Sequence, residues 1–148
     1  MALFRRKRRA IRRLLIVEDE PLVAFDNEYA LRAAGYGVVA TVDRGEAALP
    51  WLSSDHIDAA LLDVHIAGPL DGIAVARLAA ERHIPILFVT GDCPEEARTL
   101  AVGWLAKPYV SADLVAAVAC LDSVVQGAQP AGPPPALTLF AETIPARA

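Results

Sequence analysis

Sulfur is scarce in this sequence: Cys93 and Cys120 are the only cysteines among 148 residues. They form no CxxC pair and no metal-ligand spacing, which excludes a thiolate zinc site and a dithiol redox centre. Free thiols of a cytosolic protein are the expectation. Long apolar runs are also missing. No segment approaches the ~20 residues of a membrane span. The basic start is followed by only Leu14-Leu15-Ile16-Val17 before Glu18-Asp19-Glu20, too short for an export signal. A cytoplasmic protein without a membrane span is expected. Basic charge is nearly absent from the body. Arg5, Arg6, Lys7, Arg8, Arg9, Arg12 and Arg13 supply seven of the 14 basic residues, so residues 14–148 carry seven basic against 18 acidic residues. Such a body is a poor nucleic-acid binder and a plausible cation site.

What is present is apolar sequence, 55% of the chain, enough for one full core. Residues 1–13 read as a basic flexible arm, with a membrane-surface or nucleic-acid contact as the alternative. Leu14-Leu15-Ile16-Val17 is a buried strand ending at Glu18-Asp19. Pro21 opens a helix carrying Leu22, Phe25 and Tyr29 at helical spacing, and Gly35 stops it. Gly37 to Val42 is a second strand, rich in valine. Arg44 to Ser53 is a helix that Pro50 should kink or end early. Ile57 to Leu62 is a third strand, Ile73 to Arg82 a helix, Pro85 to Val89 a fourth strand and Trp104 to Ala106 a fifth. Ser111 is expected to cap a last helix running to about Leu121.

The βα unit recurs five times, which predicts a parallel α/β sheet in three layers. From Gly127 onward, Pro130, Pro133, Pro134, Pro135 and Pro145 oppose regular structure, and residues 123–148 read as a disordered Pro/Ala-rich tail. Within it Ala136-Leu137-Thr138-Leu139-Phe140 is either a docking segment or an idle sticky one.

The chemistry lies at the carboxyl ends of the strands, where open parallel sheets bind ligands. Glu18, Asp19, Asp63, Thr90 and Lys107 all fall there. Three carboxylates packed together repel and need a cation, and hard oxygen ligands favour Mg²⁺. A lysine and a hydroxyl do not serve a metal cage, but both suit phosphoryl oxygens. An aspartate nucleophile, a divalent ion, a lysine and a hydroxyl make an aspartyl-phosphate site.

Over residues 14–122 the chain resembles the receiver domains of two-component response regulators. The motifs that carry this are Leu14-Leu15-Ile16-Val17-Glu18-Asp19-Glu20-Pro21, Leu61-Leu62-Asp63, Thr90-Gly91 and Lys107-Pro108-Tyr109. The resemblance implies a flavodoxin-like (βα)5 sandwich with strand order 2-1-3-4-5. It implies that Asp63 accepts phosphate from a histidine kinase or phosphotransfer protein. Asp19 would bind Mg²⁺ directly, Glu18 through water, and the His65 carbonyl would complete the protein ligands. Lys107 would pair with the phosphoryl group, while Thr90 and the switch aromatic, here Trp104, would move with it. Plain packing is the other reading of Trp104. Kinase contact would fall on the first helix around Asn27, Glu28 and Arg32.

Several features depart from the family pattern. The loop from Ile66 to Gly72 is one residue longer than usual. Phe88-Val89-Thr90-Gly91 resembles an alphaproteobacterial subgroup, many of them stand-alone. Pro94 to Leu100 leaves room for only a short or irregular fourth helix. His65 and Asp92, two positions beyond Asp63 and Thr90, are candidates for setting phosphate lifetime. His56 and His83 read as solvent-facing loop residues. The tail leaves no place for a DNA-binding domain, so a single-domain phosphorylatable switch is expected, with its downstream partner unknown. The alternatives are a phosphorylation-independent adaptor and a haloacid-dehalogenase-type phosphatase. The last of these resembles a layout with its nucleophile on the first strand.

Overall fold

Leu14 to Val17, Ala59 to Leu62 and Ile86 to Thr90 are buried along their whole length, so each must be a central strand covered on both faces. The computed structural model describes residues 8–140 and places them so. Strands β1 (Arg13–Val17), β2 (Gly37–Val42), β3 (Ala59–Leu62), β4 (Ile86–Thr90) and β5 (Gly103–Ala106) alternate with helices α1 (Pro21–Ala33), α2 (Gly45–Leu52) and α3 (Gly72–Glu81). A 3₁₀ helix (Glu95–Leu100) joins β4 to β5, and α4 (Ser111–Val125) and a short strand β6 (Leu137–Leu139) complete the described residues. The sheet order is β2-β1-β3-β4-β5-β6, parallel through β5. The flavodoxin-like order expected from the sequence is therefore present, with one strand added.

Side chains alternate between two cores, as the two-residue period of a strand requires. Leu14, Ile16, Leu61, Leu87 and Leu105 pack with Leu31 of α1 and Leu114, Ala117 and Val118 of α4. Leu15, Val17, Leu62 and Phe88 pack on the other face with Ala48 and Leu52 of α2, Val75 and Ala79 of α3, and Ala97 of the 3₁₀ helix. The short connection after β4 thus survives only as 3₁₀ turns. Six residues hold too few intrahelical bonds for a stable α-helix of their own.

Four expectations need correction. Pro50 lies inside α2 without ending it, because Ala48 and Leu52 are buried on either side and hold the turn. Ser111 is the first residue of α4 and not its cap, a position Val110 takes without a side-chain bond. Helix α1 buries Asn27 and Leu31, and the stripe Leu22, Phe25 and Tyr29 faces solvent at 80%, 65% and 70% exposure.

The arm is ordered in its described part, residues 8–13. Ala10 and Ile11 each donate a backbone N–H to Asp122 Oδ1 at 2.7 Å, and Ile11 is buried. Arg12 and Arg13 donate theirs to Asp58 Oδ2, and Arg13 already belongs to β1. Burying one apolar side chain and satisfying two carboxylates outweighs the charge of the run. The expected flexible arm otherwise falls on residues 1–7, outside the described ones.

The expected disordered tail is likewise ordered as far as residue 140. Helix α4 runs to Val125, and β6 pairs antiparallel with β5. Pro130, Pro133, Pro134 and Pro135 are confined to the connection before β6, so they cost no ladder bond. Residues 141–148 lie outside the described ones.

Candidate functional site

Three loops leave the carboxyl ends of β1, β3 and β5 and meet over one pocket. The chain after β1 carries Glu18, buried to 3%, and Asp63 follows β3 at 6%. Such burial of two carboxylates is tolerated only with partners. Lys107, immediately after β5, supplies them: its Nζ lies 2.5 Å from Glu18 Oε1 and donates to Asp63 Oδ2 at 2.8 Å. Burial raises the Glu18 pKa above the ordinary carboxylate value, although the lysine pulls the other way. Burial alone would lower the Lys107 pKa, but its bonds to Asp63 and Glu18 reverse this and hold it well above normal. The lysine is locked in its charged form.

The backbone beneath the pocket is shaped for close approach. A Cβ at Gly72 would overlap the Asp63 carbonyl oxygen and Val64 Cα, so the start of α3 can press against the acid-bearing loop only with glycine there. Asp71 caps α3 by accepting from the Ala74 amide at 2.8 Å. The Gly72 amide donates to the Val64 carbonyl at 3.0 Å. Asp63 Oδ1 accepts the His65 amide at 2.9 Å, which fixes the carboxylate plane.

Thr90 ends β4 fully buried, and its Oγ1 has no hydrogen-bond partner. A buried hydroxyl without a partner costs about 1–3 kcal/mol. Its carbonyl accepts twice, from the Lys107 amide at 3.0 Å and from Trp104 Nε1 at 2.9 Å. The Lys107–Pro108 peptide is cis, and Tyr109 then reaches Asn27 of α1 at 2.8 Å. Burial pushes the Tyr109 phenol up to about 12, against the opposing pull of Asn27. Glu20, Asn27, Lys107 and Tyr109 line a groove of about 420 Å³ beside the pocket.

Of the residues singled out from sequence, the structure gathers Glu18, Asp63 and Lys107. Thr90 ends the neighbouring strand, and Trp104 is tied to its carbonyl. Asp19 is half-buried and accepts the Ala67 amide at 3.2 Å. Glu20, although exposed, reaches the buried acids: Glu18, Glu20 and Asp63 each offer an oxygen within 4.8 Å of the others. Spacing alone did not reveal Glu20. Its one sequence signal is an acidic side chain directly before Pro21, next to Glu18 and Asp19. Asn27 is buried against Tyr109 and lines the groove beside the pocket, while Glu28 and Arg32 pair with each other at 3.1 Å. His65 Nε2 lies 2.6 Å from Asp92 Oδ1, joining two loops over the pocket. His56 and His83 are exposed, as expected.

The donor set suits a hard divalent ion. It consists of carboxylate oxygens, two of them buried, beside a lysine that cannot neutralise three acids alone.

The comparisons agree with this geometry. The family model described as the response regulator receiver domain matches residues 14–119. The transcriptional regulatory protein PdtaR of Mycobacterium tuberculosis is 34% identical over 113 residues, covering 72% of this chain and 55% of that protein. The chain therefore spans about half the length of the curated relatives it matches. A response regulator receiver protein from Sinorhizobium medicae is 33% identical with a TM-score of 0.66, covering 75% of this chain and 94% of that one. The receiver domain of a sensor histidine kinase from Pseudomonas aeruginosa was solved with a magnesium ion in its active site cleft. It is 29% identical, with a TM-score of 0.60, covering 70% of this chain and 90% of that one. By strand order, by the pocket at the strand ends and by these matches, the chain belongs to the response regulator receiver domain family.

Proposed function

We propose that this chain is a phosphorylation-operated switch whose acceptor is Asp63. The observation that supports this most directly is the buried Asp63–Lys107–Glu18 cluster beside a Thr90 hydroxyl that lacks a partner. An Asp63 carboxylate oxygen attacks the phosphorus of a phosphohistidine on a kinase or phosphotransfer protein. The new bond is O–P, the N–P bond breaks, and the released imidazole takes a proton. Lys107, held charged, faces the incoming phosphoryl oxygens. Thr90 Oγ1 gains in the product the acceptor it lacks in the resting form. Switching results from that gain, since moving Thr90 also moves the carbonyl that holds Trp104.

The acidic residues that would hold Mg²⁺ are Glu18 and Asp63, with Asp19 and the His65 carbonyl as the family resemblance implies; Glu20, close to the same oxygens, is a further candidate. Bound there, the ion would offset negative charge building on the transferring group. The exposed stripe Leu22, Phe25 and Tyr29, with the two rings stacked at 6.4 Å, is assigned as the docking face for the phosphodonor protein.

The test is incubation with Mg²⁺ and acetyl phosphate, followed by intact mass. One phosphoryl adduct is expected on the wild type and none on Asp63→Asn. An unmodified wild type at every concentration would leave an adaptor that works without phosphate, and free phosphate released over many turnovers would indicate a phosphatase.

A further inference from the structure

Beyond the acceptor site, the feature that asks for a role is the segment 136–140 on the outer edge of β5. It is held at both ends by backbone bonds: the Ala106 amide donates to the Ala136 carbonyl at 3.0 Å, and the Phe140 amide to the Val102 carbonyl at 2.9 Å. Between them Leu137, Thr138 and Leu139 pair with Leu105, Trp104 and Gly103. Gly103 is needed for this approach, because a Cβ there would stand 2.7 Å from the Thr138 carbonyl oxygen.

The two faces of the segment complete two cores. Leu137 and Leu139 pack at the border of the α1–α4 core, while Phe140, 4% exposed, enters the core on the other face. There it lies under Arg98 of the 3₁₀ helix, whose guanidinium is 5.5 Å from the ring centroid. A full α-helix after β4 would cover that face, and the short 3₁₀ helix leaves Phe140 to fill it.

The segment also touches the switch elements. Trp104 pairs through its backbone with Thr138, shares a core with Phe140, and bonds through its indole to the Thr90 carbonyl. All of these contacts belong to one arrangement, with Thr90 in its resting place.

We infer that residues 136–140 are a displaceable strap over a strand-docking edge, seated while Asp63 is unmodified and released when Asp63 carries a phosphoryl group. The inference rests on the phosphoryl-acceptor reading for its trigger. Drawing the Thr90 hydroxyl toward the phosphoryl group shifts its carbonyl and breaks the Trp104 bond, so the modified form holds the strap less tightly. Release uncovers the N–H and C=O groups along β5 and the socket of Phe140. The partner that fits is an extended segment with apolar residues at alternate positions and a terminal aromatic, the pattern of the strap itself. At rest the tethered strap outcompetes any such segment, because its effective concentration on the edge is high.

Hydrogen-exchange mass spectrometry on the full chain with Mg²⁺ and acetyl phosphate reads the adduct and the strap together. Exchange of amides in 136–140 is expected to accelerate about tenfold in adduct-bearing molecules, a usual coupling strength, and to stay slow in Asp63→Asn. A fluorescent peptide with the sequence of residues 134–140 should bind the modified chain and not the resting one. Thr138→Pro, altered at an exposed position, removes a ladder N–H and should bind the peptide without acetyl phosphate. An adduct with unchanged strap exchange overturns the coupling while the acceptor reading stands. No adduct overturns the acceptor reading and the trigger with it. Failure of Thr138→Pro to bind more peptide than the resting wild type overturns the docking edge, whatever the phosphoryl chemistry does.

Discussion

The two ends of the parallel strands treat the same functional group in opposite ways. At the amino ends, Asp58 accepts the Arg12 and Arg13 amides and the Arg13 guanidinium. Burial would raise its pKa, but these bonds outweigh burial and hold it below the ordinary value. At the carboxyl ends, Glu18 is more deeply placed, has one shared cation, and is shifted upward. One end welcomes negative charge and the other holds it under strain. A carboxylate that is fully satisfied has nothing left to give a ligand. A crowded pair sharing one lysine, beside a hydroxyl without a partner, gains from any added cation or phosphoryl group. This difference is what marks Glu18 and Asp63, and not Asp58, as the acids of the proposed site.

The largest expected effect comes from removing the shared cation. Lys107→Met leaves Glu18 and Asp63 buried at close quarters without a counter-charge, which costs about 3 kcal/mol in a denaturant titration. The same variant should lose almost all adduct formation from acetyl phosphate. If stability is unchanged, the lysine is not what offsets the two acids, and the contrast between the strand ends fails.

Next in size is a pair of pH titrations of opposite sign. The folded pKa of Asp58 is depressed, so its stabilisation is present above the unfolded value near ~3.9 and is lost as pH falls through the folded value. Asp58→Asn should therefore lower the denaturant midpoint at neutral pH, with the gap from wild type closing at acid pH. The folded pKa of Glu18 is raised, so its charge costs stability above that value, and the cost disappears as pH falls below the unfolded one. In Mg²⁺-free buffer Glu18→Gln should melt higher than wild type at pH 7 and alike in acid. Adding Mg²⁺ should raise the wild-type melting temperature and leave Glu18→Gln almost unmoved. Equal shifts in both proteins would place the ion elsewhere.

Phe140→Ala should also destabilise by about 3 kcal/mol if its ring fills the core as described, without loss of adduct formation. This residue also marks where the sequence stopped being legible. The strands were readable because four or five aliphatic residues in a row have no polar face to offer water, and the helices because Pro21 and the glycines punctuate them. Glu18, Asp63, Thr90 and Lys107 were readable because topology alone puts strand ends on one edge. Residues 136–140 were not. Their apolar pattern was visible, but the prolines before them argued for disorder, and only the open edge of β5 and the gap left by the 3₁₀ helix supply a place to dock. The arm was misjudged for a related reason. Its charge was local and visible, whereas Asp58 and Asp122 lie 45 residues or more away in sequence. The approach of Glu20 to Glu18 and Asp63 depends on loop geometry, which residue spacing does not encode.

The smallest effect is expected where the strained end meets solvent. His65 and Asp92 are joined at 2.6 Å, but their side chains are 64% and 71% exposed, so the bond itself contributes little to stability. Its position gives it a second use. The His65 amide orients Asp63, and the imidazole reaches across to the loop after Thr90, so the pair spans the approach to the acceptor oxygen. If Asp63 is the acceptor, a closed pair would hinder water in line with the O–P bond, and an open one would admit it. His65→Ala and Asp92→Ala should each speed loss of the adduct by about fivefold or less, as befits an exposed pair worth under ~1 kcal/mol. The double variant should be no faster than either single one, because breaking one bond twice has no further effect. Additive acceleration would mean that the two residues act on water separately, and unchanged decay in both would remove them from the chemistry.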